Sequence, residues 1–243
     1  MLRRRLRLQE LAGDATMAAS KSIFTKETFQ FFRDLARNNH KPWMDENRER
    51  YRAAVVERFR ALLDRLAPAA QRLNPRFIAS GRVGENFSRI NRDIRFARDK
   101  SPYRTQMYLF FAEPGGEGGQ LYVGLSADTV TCGFRIYGGG RDTPLVKFGR
   151  ARGRDNPKWI ERQRRKLAKK YESYWYSSVR GAWKKNNGWP AKPEDWKKLQ
   201  GWVVRRKLAP SAATRSGFER EVAKAFREVY PLYRFAGTAD WKP

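Results

Sequence analysis

Apolar and polar positions recur with two different periods along this chain, and the changes of period outline its elements. From Phe24 to Arg37 the apolar residues Phe29, Phe32, Leu35 and Ala36 fall three to four positions apart, the stripe of a helix buried on one side. Thr25 stands where a cap is needed and Phe24 where it can staple onto Phe29. Asn38, Asn39 and Pro42 stop the pattern. The same period over Tyr51, Val55, Phe59, Leu62 and Leu66 predicts a second helix from about Trp43 to Ala67, ended or kinked at Pro68. Arg76 to Ser80 reads as a short strand. Three strands follow, Tyr103 to Ala112, Gln120 to Ala127 and Thr129 to Tyr137, joined by the glycine-rich Glu113 to Gly119 and by Asp128. Ser216 and Glu219 form a capping box before a last helix with Phe218, Val222, Phe226 and Val229 on one stripe, ended by Pro231. Consecutive hairpin-connected strands flanked by helices predict an α+β fold, an antiparallel sheet of three to five strands with helices on one face. Cys132 falls in a strand as a small buried residue.

With 243 residues there is ample chain for a real core, and we expect one domain over 21–243 behind an extension over 1–20. That extension carries Arg3, Arg4, Arg5 and Arg7 among leucines. It reads either as an amphipathic targeting or lipid-surface segment or, preferred here, as a disordered tail with Met17 as an alternative start. No apolar run of about eighteen residues offers a membrane span. One cysteine forbids an intramolecular disulfide and fits a reducing, cytoplasmic setting. With a single histidine, His40, a His/Cys zinc site is excluded and a catalytic triad would have to use that residue. His40 itself reads as a surface or capping residue. No cofactor or metal is expected.

The net charge of +27 changes the picture. Such a surplus repels itself, so an acidic partner is expected: nucleic acid or another polyanion. Residues 141–207 hold 21 Lys and Arg against 6 Asp and Glu, a surplus of +15, and six of the eight tryptophans. We read this part as basic, Trp-rich and helical. Cations meet phosphates and rings stack on bases, which makes Trp159, Arg162, Arg165, Lys166, Lys169, Lys170, Trp175, Lys184 and Lys185 a candidate nucleic-acid surface. The competing reading of each tryptophan is core. Gly138 to Gly140 read as a turn, because the phosphate-loop and dinucleotide fingerprints are absent.

The most unusual stretch is FSRINRDIRFARDKSPYRT, Phe87 to Thr105. Arg89, Arg92, Arg95, Arg98, Lys100 and Arg104 surround only two acids, Asp93 and Asp99. Strand and helix periods both set each carboxylate beside guanidinium groups, whose flat forks hold carboxylates bidentately. Two readings stand: an ion-pair lattice that holds a loop, or an anion site in which the aspartates orient arginines toward a ligand.

The run Arg89, Ile90, Arg92, Asp93, Arg95, Phe96, Asp99, Lys100, Pro102, Tyr103 resembles the hallmark of the uncharacterised family called domain of unknown function 2461. The resemblance extends upstream over Phe31 to Tyr51 and, more weakly, downstream over Phe218 to Phe235. It implies a fold and no activity. The chain departs from the family pattern after Ile136, where Tyr137 and three glycines replace the usual tryptophan and proline.

Three functions follow. The first is a non-catalytic binder of nucleic acid or another polyanion. The second is a structural or interaction domain whose Arg-Asp lattice only holds the fold. The third is a metal-dependent hydrolase or phosphodiesterase, with Asp93 or Asp99 as ligand or base, Arg92 and Arg95 as clamps, Lys100 as charge stabiliser and Glu85 as a third acid.

Overall fold

A computed structural model describes residues 22–115, 118–138, 140, 142–179 and 182–243. The tail read as an extension lies outside these residues. The order is α1 (Lys26–Arg37), α2 (Lys41–Glu46), α3 (Arg48–Tyr51), a π-helical turn (Arg52–Val56), α4 (Glu57–Leu73), β1 (Gln106–Phe111), β2 (Gln120–Ser126) and β3 (Val130–Tyr137). A second π-helical turn (Leu145–Gly149) follows, then α5 (Arg150–Asp155), α6 (Pro157–Leu167), β4 (Glu172–Val179), β5 (Ala182–Asn187), α7 (Pro193–Lys197), β6 (Leu199–Leu208), α8 (Pro210–Ala213) and α9 (Phe218–Gly237). The fold is α+β, as the periods predict, with a six-stranded antiparallel sheet in the order β1-β2-β3-β6-β4-β5. It has one strand more than the upper expectation, because residues 141–207 are not mainly helical. They supply β4, β5 and β6, half of the sheet. Their helical reading came from charge and aromatic content, which carry no period. The alternation Tyr174, Tyr176 against Trp175, Ser177 is the strand signal there.

The core lies between the sheet and the helices. Phe24 meets Phe59 and Phe218 edge to face at 5.3 and 6.0 Å. Thr25 makes no side-chain cap, and Ala36 is exposed, outside the α1 stripe. The second expected helix is broken into α2, α3, the first π-helical turn and α4. Thr28 Oγ1 donates to the Ala54 carbonyl at 2.7 Å. A side chain inserted into the backbone ladder is a known cause of such a widened turn. Pro68 and Pro231 end neither helix; each lies inside one, α4 and α9. A helical proline costs about 3 kcal/mol. Here the turns beyond it bury Ala70 in α4, and Leu232, Tyr233, Phe235 and Ala236 in α9. The Ser216 capping box is absent: Gly217, at φ 80°, starts α9 without a side-chain cap. Arg76 to Ser80 is not a strand, although Ile78 N donates to Ala112 O at 3.0 Å. Cys132 is fully buried, and burial pushes its thiol up to about 12.

The helices cover one face of the sheet. A second, smaller cluster of Phe110, Tyr122 and Val203, flanked by Tyr108 and Tyr174, occupies the opposite face and consists of strand residues alone. No described helix is long and apolar enough to cross a membrane.

Candidate nucleic-acid interface

Residues 86–105 form neither helix nor strand. They are an exposed loop hung on the free edge of β1. Its base is pinned by Asn86, which is fully buried. The Asn86 side-chain amide donates to Ile78 O (2.8 Å) and Phe110 O (3.1 Å), and its oxygen accepts from Gly81 N (3.0 Å). Ser88 N donates to Tyr108 O and Ser88 Oγ accepts from Tyr108 N, both at 3.0 Å. Its far end closes on itself, Arg104 N donating to Ile90 O at 2.7 Å and Arg92 N to Pro102 O at 2.8 Å. Asn39 then clamps it to the end of α1: its amide donates to Tyr103 O (2.9 Å) and its oxygen accepts from Tyr103 N (3.0 Å). The sequence presents Asn39 as a helix stop and gives Asn86 no role. Both turn out to be positioning groups, signalled by asparagine beside a segment whose backbone lacks regular partners.

Between these anchors the charges sort themselves. Arg95 grips Asp93 with Nε at 3.0 Å and Nη2 at 2.7 Å, which lowers the Asp93 carboxyl below its usual range. Asp99 is drawn down to about 2, first by the Ser101 hydroxyl and amide and then by Arg92. Arg92 Nη1 also donates to Ser101 O at 3.1 Å, and Lys100 Nζ to Ile94 O at 3.1 Å. The ion pairs thus form within the loop, Asp93 with Arg95 two positions on and Asp99 with Arg92 seven positions back, and the second follows neither the strand nor the helix period. Arg89, Arg98 and Arg104 are exposed and have no carboxylate partner among the described residues. Phe96, at 96% exposure, lies on the same loop with the Arg95 guanidinium 5.9 Å from its ring. A polar cleft of about 330 Å³ runs along Asn39, Arg92, Ser101 and Arg104.

Glu85 takes a hydrogen bond from Ser80 and lies 3.9 Å from Arg82. Among the described residues no three His, Cys, Asp or Glu side chains gather where they could hold a metal ion. His40 Nδ1 accepts from Trp43 N at 3.3 Å and caps α2.

The surface expected over 159–185 is not one surface. Trp159 is buried, stacked on Phe235 at 4.4 Å, and Trp175 is buried opposite Trp202. Neither ring is available to a base: composition does not show which way a ring faces, and their places in α6 and β4 turn both to the core. Arg162, Arg165, Lys166, Lys169 and Lys170 are exposed on or just after α6, in the helical layer. Arg165 is paired with Glu161 at 2.8 Å, and Lys170 with Glu228 at 3.8 Å. Lys184 and Lys185 are exposed on β5, the sheet edge opposite the Arg-rich loop. Five strand intervals, about 24 Å, separate the two edges.

Compared with known proteins, the sequence profile of DUF2461, described as a conserved hypothetical protein, matches residues 27–235. The chain belongs to this family. No curated protein matches it. The matched span contains the whole Arg-rich loop, Asn39 and Asn86 of this chain.

Proposed function

We propose that this protein binds nucleic acid or another polyanion through the Arg-rich loop, without transforming it. One observation carries the reading. Asp93 and Asp99 are already taken up by Arg95 and Arg92, while Arg89, Arg98 and Arg104 are exposed and without carboxylate partners among the described residues, on the same loop as an exposed phenylalanine. Cations so held present a ready field to phosphates, and a net charge of +27 favours the encounter at long range. The pairing of both aspartates weighs against their use as a hydrolase's base or metal ligands. A cytoplasmic location goes with this reading.

The test is fluorescence anisotropy with a labelled oligonucleotide across a salt series, with heparin as competitor. Binding should weaken steeply between about 50 and 200 mM salt, because neutralised phosphates release counterions. The triple variant R89A/R98A/R104A should flatten the log–log slope by about 2 to 3, at 0.7–0.9 per lost phosphate contact. Heparin competing as well as nucleic acid would identify a general polyanion site. Absence of binding at about 50 mM salt, or affinity indifferent to salt, would refute the reading.

A further inference from the structure

The face of the sheet turned away from the helices carries rings and cations in alternation. One row crosses β3, β6 and β4 as Tyr137, Gly201 and Tyr176. A Cβ at Gly201 would come within 2.6 Å of the Tyr137 ring, so this glycine lets the ring lean across the sheet. Trp183 of β5 completes the group, stacked on Tyr137 at 6.1 Å with 27° between planes and lying 5.7 Å from Tyr176. Tyr137 and Trp183 are 39% and 47% exposed. Elsewhere the same device recurs: Tyr108 lies against Gly124, where a Cβ would meet its ring at 2.4 Å.

Cations lie among these rings. The Arg135 guanidinium sits 4.8 Å from the centroids of both Tyr108 and Tyr122. It donates to Gln120 at 2.7 Å and has no carboxylate partner among the described residues. Lys185 Nζ lies 4.2 Å over Tyr174. An apolar partner, or a second copy of a chain at +27, would bury these cations against apolar groups or like charge, which is unfavourable. A duplex offers phosphates but keeps the faces of its bases stacked inside. A single strand offers both phosphates and free base faces, and rings of any kind stack on any base.

We propose that this face is a stacking platform for single-stranded nucleic acid. Tyr137, Tyr176 and Trp183 take the bases, and Arg135 and Lys185 take the phosphates. The inference deepens the polyanion reading and rests on it, but it uses a different surface from the Arg-rich loop.

The test compares labelled oligo-rU and oligo-dT with a duplex of equal length, by anisotropy at fixed salt. Wild-type protein should prefer the single strands. Y137A/W183A should lose about tenfold or more for single strands, the equivalent of one stacked base, and keep its duplex affinity. Y137F/W183F should restore most of the loss. R89A/R98A/R104A should weaken single strands and duplex together. Thermal melting of each variant confirms that it is folded. If no nucleic acid binds, the polyanion reading and this inference fall together. If nucleic acid binds with no single-strand preference, or Y137A/W183A binds single strands like wild type, the inference alone is overturned. A wild-type dimer in sedimentation that Y137A/W183A dissolves would also overturn it, by giving the face to a second copy.

Discussion

Replacing Asn86 tests how the Arg-rich loop is held. Its side chain is fully buried and makes four hydrogen bonds: three of 2.8 to 3.1 Å, to the carbonyls of Ile78 and Phe110 and from the amide of Gly81, and a longer one from the Ser80 hydroxyl at 3.4 Å. Asn86→Ala removes all four, and the three shorter ones leave buried backbone groups without a side-chain partner. A hydrogen bond contributes about 1 kcal/mol net, more when its loss strands a buried partner, so the cost is about 3 kcal/mol. A chain of this size loses about 2–4 °C per kcal/mol, so the melting temperature should fall by about 6–12 °C. Asn86→Asp should cost more at pH 7, because a carboxylate would face two carbonyl oxygens without a proton to offer. Burial would raise its folded-state pKa above the ordinary value of about 3.9. Stability held by its protonated form is then complete below that value and lost as pH rises. The Asp variant should therefore recover toward the Ala variant as pH falls from 7 to about 5. Circular dichroism melts of the three proteins at both pH values read this directly. An Asn86→Ala shift of less than about 2 °C, or an Asp variant as stable as wild type at pH 7, would refute the reasoning.

Two further predictions follow from geometry. At Gly153 in α5 a Cβ would stand 2.0 Å from Trp196, whose ring is wedged against Trp202 and Phe235 at 5.4 and 6.0 Å. Gly153→Ala gains about 1 kcal/mol of helix preference against an overpacking cost at the upper end of about 1–3 kcal/mol. Its melting temperature should fall by a few degrees in differential scanning calorimetry, and a rise would show that Trp196 yields easily. The folded-state pKa of Asp99 is depressed, so its pairing with Arg92 is present above the unfolded pKa of about 3.9 and lost as pH falls through about 2. Carboxyl NMR titration should place Asp99 near that low value, and a midpoint near 3.9 would mean that neither its hydrogen bonds from Ser101 nor its pairing with Arg92 persists in solution.

Much of this was legible beforehand. The alternation over β1, β2 and β3 and the stripe of Phe29, Phe32 and Leu35 in α1 are local patterns, and local patterns survive folding when one face must be buried. Three features were not legible. The Arg-rich run fits strand and helix periods equally well, but it is a loop: Asn39 takes the backbone groups of Tyr103 within it, and Asn86, 47 positions from Asn39, ties its base to Ile78, Gly81 and Phe110. Prolines read as stops were tolerated because burial beyond them outweighs one lost hydrogen bond. The surface aromatics of β4 and β5 are hidden in the sequence because charge and tryptophan content from Arg141 onward mask the alternation of these strands.

The order of residues by itself determined the class of fold, the family and the sign of the charge, since each can be read from local pattern and composition. Folding decided which rings are core and which are surface, and which cations stay unpaired. Trp159 is lost to Phe235, 76 positions away, while Tyr137 and Trp183 meet across the sheet on its uncovered side. Burial and ion pairing are properties of neighbours in space, and only the packed chain brings those neighbours together.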